Sequence, residues 1–175
     1  MITKDNNLKI MELFFKYPYR QFHIREIARL TGLSSTGVIK IVKRLEKGGL
    51  LISRKEAVTE EIKPDFGRRF FIMKRLYNIY SLYDSGLIEA IKNFYEQPSA
   101  IILFGSYGTG MDTEKSDIDI AVIAGAGKMP ELHKFEAKLA RKISIYIIDM
   151  AKTPIGFKNS LANGIILEGF VEFLK

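Results

Sequence analysis

The sequence contains no cysteine, so disulfides, thiolate zinc sites and cysteine nucleophiles are excluded together. Histidine is nearly as scarce. His23 and His133 are far apart, and a histidine-rich metal cage is not expected. Long apolar runs are missing too: stretches such as Ala100–Phe104 are far too short to span a bilayer, and Met1–Asn7 is no signal peptide. No internal repeat and no low-complexity segment is visible. The expectation is a cytoplasmic protein with no membrane partner.

What is present is the composition of a folded chain, with 47% hydrophobic and 27% charged residues, and 175 residues suffice for one ordinary domain or two small ones. The net charge of +7 is unevenly placed. Residues 1–82 hold 17 Lys and Arg against 8 Asp and Glu, whereas residues 83–175 hold 10 against 12. A basic first half joined to a mildly acidic second half is expected if only the first meets a polyanion.

Apolar periodicity divides the first half into short elements. Leu8–Tyr17 reads as a helix ended by Pro18, Phe22–Ile24 as a short extended piece, and Ile24–Thr31 as a second helix stopped by Gly32. Ser34 is a natural N-cap for a third helix running to about Lys47, with Val38, Ile41, Val42 and Leu45 on one face. Two strand-like stretches follow, Leu50–Arg54 and Arg68–Met73, joined by a polar loop holding Pro64–Gly67. Lys74–Tyr83 and Leu87–Tyr95 read as a helical connector whose tyrosines (Tyr77, Tyr80, Tyr83, Tyr95) suit packing or self-association. Beyond Pro98 come strands at Ala100–Phe104, Asp117–Ile123 and Ile143–Ile148, a helix over Pro130–Lys142, and two short helices from Pro154 and Ile165.

Residues 24–41 carry the residue types of a helix-turn-helix. Ala28 is small where the second helix crosses, Gly32 sits where the turn needs a left-handed backbone, and Val38 fills the angle between the helices. Residues 6–73 resemble the winged helix-turn-helix regulators, as in the MarR and ArsR groups, which implies binding to duplex DNA and a role in transcription regulation. In such folds the second helix of the motif enters the major groove. That places Ser35, Thr36 and Lys40 toward base edges, with Lys43 and Arg44 within reach of phosphates. Arg54, Lys55, Arg68 and Arg69 become the backbone contacts of a wing. The helix has no Asn or Gln and its Arg44 lies late, so strong bidentate base readout is not expected.

The most specific stretch in the second half is Ile101–Ser106, followed across Tyr107–Lys115 by Ser116–Asp117–Ile118–Asp119–Ile120. On a strand, Asp117 and Asp119 project from one face while Ile118 and Ile120 point to the core. Two neighbouring carboxylates repel unless a cation lies between them. Gly105 lets backbone approach a ligand, and Ser106 offers a hydroxyl and an N–H to a phosphate oxygen. Gly105–Gly110 also reads G-x-x-x-x-G, but Met111–Asp112 stands where a P-loop needs Lys-Ser/Thr.

Phe-Gly-Ser followed at this distance by Ser-Asp-Ile-Asp resembles the DNA polymerase β-like nucleotidyltransferases, especially the minimal kind. The likeness runs from about Ala100 to Leu174, with Asn163–Gly169 similar to that family's C-terminal helix. It implies that Gly105 and Ser106 hold a nucleoside triphosphate and that Asp117 and Asp119 are catalytic and hold Mg²⁺. In that chemistry a nucleoside monophosphate passes to an acceptor hydroxyl, one ion activating the attacking oxygen and a second neutralising the leaving group. The family's third carboxylate is missing, for the matching position reads Ser144, and Asp149 lies at the strand's far end on the opposite face. The expectation leans toward an enzyme; the alternative is a transcriptional regulator whose degenerate domain senses nucleotide without catalysis. The resemblance also implies a small helical partner protein, and the connector a homodimer. The predicted architecture is α+β: a winged helix-turn-helix over 1–73, a helical connector over 74–97, and a small mixed-sheet nucleotidyltransferase-like domain over 98–175.

Overall fold

The structure, a computed structural model, describes residues 5–56, 59–124 and 130–172, and the side chains of 55–59 lie outside that description. Helix α1 (Asn6–Lys16) begins at Asp5, whose carboxylate accepts the Leu8 N–H at 2.8 Å. It buries Ile10, Met11, Phe14 and Phe15. Strand β1 (Phe22–His23) leads into α2 (Ile24–Thr31), which stops at Gly32 with φ +72°, the left-handed turn the motif requires. Ser34 then caps α3 (Ser35–Lys47) by accepting the Gly37 N–H at 3.1 Å. Phe14 meets Phe22 edge-on at 5.2 Å, and Phe14, Ile27 and Val38 are fully buried. Each such side chain contributes roughly 1.5–3 kcal/mol through burial.

Strands β2 (Leu51–Glu56) and β3 (Thr59–Pro64) form an antiparallel hairpin, and β1 pairs with β3 to complete a sheet of order β1-β3-β2. Its second strand is not Arg68–Met73 as predicted. That segment opens helix α4 (Arg68–Ser85). The reason lies in the spacing of Phe70, Lys74, Asn78 and Leu82, four apart and all buried, which is a helical period. Two polar residues on the buried face hid it from a hydrophobic pattern. In the hairpin register Arg54 stands across from Glu61, a pairing of opposite charges.

The chain divides into two compact units after Lys74, inside α4. In the second unit α4 continues to Ser85 and is followed by α5 (Leu87–Phe94), β4 (Ala100–Phe104), α6 (Gly105–Thr109), β5 (Ile118–Ile123), α7 (His133–Leu139), β6 (Ile143–Ile148), α8 (Ile155–Ala162) and β7 (Ile165–Gly169). The last of these corrects a second expectation: neither a helix from Ile165 nor a family-like helix over Asn163–Gly169 forms. Ile165–Ile166–Leu167 is a β-branched run, and it pairs antiparallel with β4. The sheet order is β6-β5-β4-β7, with β5 and β6 parallel and β4 antiparallel to both its neighbours.

Alternation along these strands makes two faces. Ile101, Leu103, Ile118, Ile120, Val122, Ile143 and Ile145 face Leu82, Leu87, Ile88, Ile91, Phe135 and Leu139 from the helices. Ala100, Ile102, Ala121 and Ile148 face Leu161 of α8. One polar cluster is buried within the unit. Asn78 Nδ2 donates to Tyr107 O at 2.9 Å and to Asp112 Oδ1 at 2.7 Å, and Arg141 Nη2 lies 3.9 Å from Asp112 Oδ2. No helix among the described residues is long and apolar enough to cross a membrane.

Candidate functional site

The thinly covered face of the second sheet, where α8 packs, is also the face of Asp119. Asp119 lies on β5 opposite Phe104, two residues before Ala121, and Asp117 precedes the strand and is exposed. β4 ends in the turn that starts α6, and there Gly105 takes φ +73°. The backbone angle favours glycine, and a Cβ on Gly105 would sit 2.6 Å from Asp119 Oδ2 and displace that carboxylate. Ser106 is half-buried, and its carbonyl accepts from Met111 N at 3.0 Å and Thr109 Oγ1 at 2.9 Å, which fixes the turn. A cleft of about 350 Å³ opens beside it, lined among others by Phe104, Gly105, Ser106, Ser160 and Asn163.

Burial raises the Asp119 carboxyl above its ordinary value; a hydrogen bond from Tyr146 opposes this and the charge of Asp117 adds to it. A carboxylate held in this state gains from a nearby cation. Among the described residues no set of three His, Cys, Asp or Glu side chains is arranged to hold a metal ion. Two carboxylates still fit magnesium, which binds one or two of them and fills its octahedron with water and phosphate oxygens.

The parallel register sets Asp119 directly beside Ser144 of β6, the residue that stands where a third carboxylate was sought. Paired residues share a face, so a hydroxyl borders the aspartate. Asp149 is elsewhere: it follows β6, accepts the Ala151 N–H at 3.0 Å, and is held below the usual carboxylate range chiefly by Lys152, 3.1 Å away. Sequence reasoning missed Tyr146. It lies two residues after Ser144 on the same face, and its hydroxyl donates to Asp119 Oδ1 at 3.4 Å. The alternation of β6 was the available signal.

In the first unit, Ser35, Thr36, Lys40, Lys43 and Arg44 are all exposed along α3. Arg44 also reaches Asn7 Oδ1 at 3.5 Å. Arg54 is exposed on β2, and the side chain of Lys55 lies outside the described residues. Arg68 and Arg69 are exposed but occupy the first turn of α4, not the hairpin, because Arg68 begins that helix. Two further exposed cations, Arg25 and Arg29 of α2, lie four apart on one face, a helical spacing legible in the sequence.

Comparison with known families agrees with both halves. Residues 23–52 match the winged helix-turn-helix DNA-binding model, and residues 87–168 match the model described as polymerase beta, nucleotidyltransferase. No curated protein and no solved structure matches the chain. One polypeptide thus carries a winged helix-turn-helix domain, indicating DNA binding, and a nucleotidyltransferase domain.

Proposed function

We propose that the chain binds duplex DNA through α3 and, in its second domain, transfers a nucleoside monophosphate from a nucleoside triphosphate to an acceptor hydroxyl. The observation that carries the second part is the placement of the Asp119 carboxylate against the α-carbon of Gly105, with Asp117 two residues away. Gly105 and Ser106 would seat the phosphates, and Asp117 and Asp119 would hold Mg²⁺. A bound divalent ion would neutralise charge on the phosphates and on the departing pyrophosphate. The acceptor oxygen bonds to the α-phosphorus, the bond to the β-phosphate bridging oxygen breaks, and the acceptor hydroxyl gives up its proton. Ser35, Thr36 and Lys40 would face the bases, while Lys43 and Arg44 would neutralise phosphates, a contact that positions without specifying.

A second reading is favoured by Ser144. With a hydroxyl beside Asp119 in place of a carboxylate, the domain would bind nucleotide and regulate transcription without turnover. The two separate in one experiment. The full chain is incubated with each labelled nucleoside triphosphate and Mg²⁺, and pyrophosphate and labelled product are measured. Transfer by the wild type that is lost in Asp117→Asn and Asp119→Asn supports the enzyme; metal-dependent binding with no pyrophosphate supports the sensor.

A further inference from the structure

Three aromatic rings stand beside the carboxylates, and phosphoryl chemistry assigns them no task. Phe104 ends β4 across from Asp119, Tyr146 lies on β6, and Phe157 is in α8. Their centroids are 5.4 Å (Phe104–Tyr146), 5.5 Å (Phe104–Phe157) and 5.9 Å (Tyr146–Phe157) apart, a closed cluster. The two phenylalanines are half-buried, but Tyr146 keeps 40% of its surface exposed. Tyr146 is packed against both phenylalanines and stays partly open.

The cluster is continuous with the phosphate end of the site. Phe104 belongs both to the rings and to the lining of the cleft beside Gly105 and Ser106. Helix α8 gives Phe157 to the rings and Ser160 to the same cleft, which its C-cap residue Asn163 also lines. The Tyr146 hydroxyl points back to Asp119, which leaves the ring itself as the surface next to the carboxylate. An anchored, partly exposed aromatic cluster beside the turn at Gly105–Ser106 and the Asp119 carboxylate suits a ligand that is aromatic at one end and polyphosphorylated at the other.

We propose that Phe104, Tyr146 and Phe157 form a nucleobase platform, with Tyr146 as the stacking ring for a nucleoside triphosphate whose phosphates lie at Gly105–Ser106. This rests on the nucleotide reading given above. Because every base presents a π-face, the platform selects for a base over none, and discriminates weakly among bases.

Calorimetry on the full chain in Mg²⁺, with adenosine triphosphate and inorganic tripolyphosphate as paired probes, tests it. The wild type should bind adenosine triphosphate roughly ten- to hundredfold more tightly than tripolyphosphate. Tyr146→Ala should erase that difference while leaving tripolyphosphate affinity within about twofold, and Tyr146→Phe, which keeps the ring, should preserve it. Melting curves establish that both variants fold. Equal affinity of the wild type for both probes, with Asp119→Ala abolishing both, overturns the platform and leaves the phosphate and metal site intact. Weakening of both probes alike by Tyr146→Ala also overturns it, since the ring would then be holding Asp119 alone. Binding of neither probe by the wild type brings down the nucleotide reading and the platform together.

Discussion

The two units handle charge in opposite ways. In the first, the cations of α3 face outward: Lys40, Lys43 and Arg44 are exposed and open to counterions. In the second, the important charges are few, negative and adjacent, and Asp119 is half-buried with its carboxyl pushed up. An outward array gives an attraction that is long in reach, additive and easily screened. A neighbouring pair of carboxylates, one of them half-buried, stores repulsion that one bound ion relieves, so its response is closer to all-or-none. The contrast explains why composition pointed to the first surface, while the second site shows as a spacing, Asp117 and Asp119, to which strand register adds Ser144 and Tyr146.

The largest effect expected is loss of Mg²⁺-dependent nucleotide binding in the second unit. Asp117→Ala and Asp119→Ala should each abolish the gain in nucleotide affinity that Mg²⁺ gives the wild type and leave DNA affinity unchanged. Equal nucleotide affinity of the wild type in EDTA and in Mg²⁺ would remove the proposed metal site.

Next is the salt response of the first unit. With about 4–6 phosphates neutralised, the log–log slope of duplex binding should lie near −4 to −5, and the affinity should fall several hundredfold, roughly, between 50 and 200 mM salt. Lys40→Ala with Lys43→Ala should flatten the slope by about one to two units. Arg68→Ala with Arg69→Ala should flatten it less, since those residues are on α4 and not on the hairpin. Fluorescence anisotropy across a salt series measures both. A slope indifferent to the α3 pair would leave that helix a protein-contact surface.

A smaller and more diagnostic effect belongs to Ser144. Ser144→Asp should place a third carboxylate beside Asp119, lowering the melting temperature without metal by a few degrees, roughly, and enlarging the stabilisation by Mg²⁺. A metal-induced shift no larger than that of the wild type would show the new charge to be misplaced.

The smallest expected effect concerns pH. A raised carboxyl pKa in the folded state means that the native chain holds the proton more tightly than the unfolded one. Asp119 therefore costs stability above its folded pKa, and the cost disappears as pH falls below the ordinary carboxylate value. Asp119→Asn should melt higher than wild type at neutral pH without metal, with the two converging in acid. Thermal scans at several pH values check this, and a variant less stable than wild type at neutral pH would contradict it.

Much of the first unit was legible because its signals are local. Ser34 and Gly32 bound α3 and α2 by capping chemistry that needs no distant partner. The hairpin and α4 were misread for complementary reasons. β3 carries Glu60, Glu61 and Lys63 and so lacks an apolar strand pattern, whereas α4 buries Lys74 and Asn78 where an apolar pattern expects leucine. β7 was misread because the Ile165–Leu167 run is too short for periodicity to separate helix from strand. In the site, the pair Asp117 and Asp119 is visible as a spacing. Tyr146 is not, since its link to Asp119 exists only once β6 lies parallel to β5.

The buried cluster of Asn78, Asp112 and Arg141 carries a kinetic consequence. Asp112 begins the segment that delivers Asp117, and it is tied inside the unit to α4 on one side and to the turn before β6 on the other. Removing either tether would strand a charge or an amide in the interior, which is expensive, so the start of the segment is held in place. A ligand of the proposed site would then meet a mouth fixed at Asp112. Its capture should be a single bimolecular encounter whose rate rises linearly with concentration and does not level off at a conformational step.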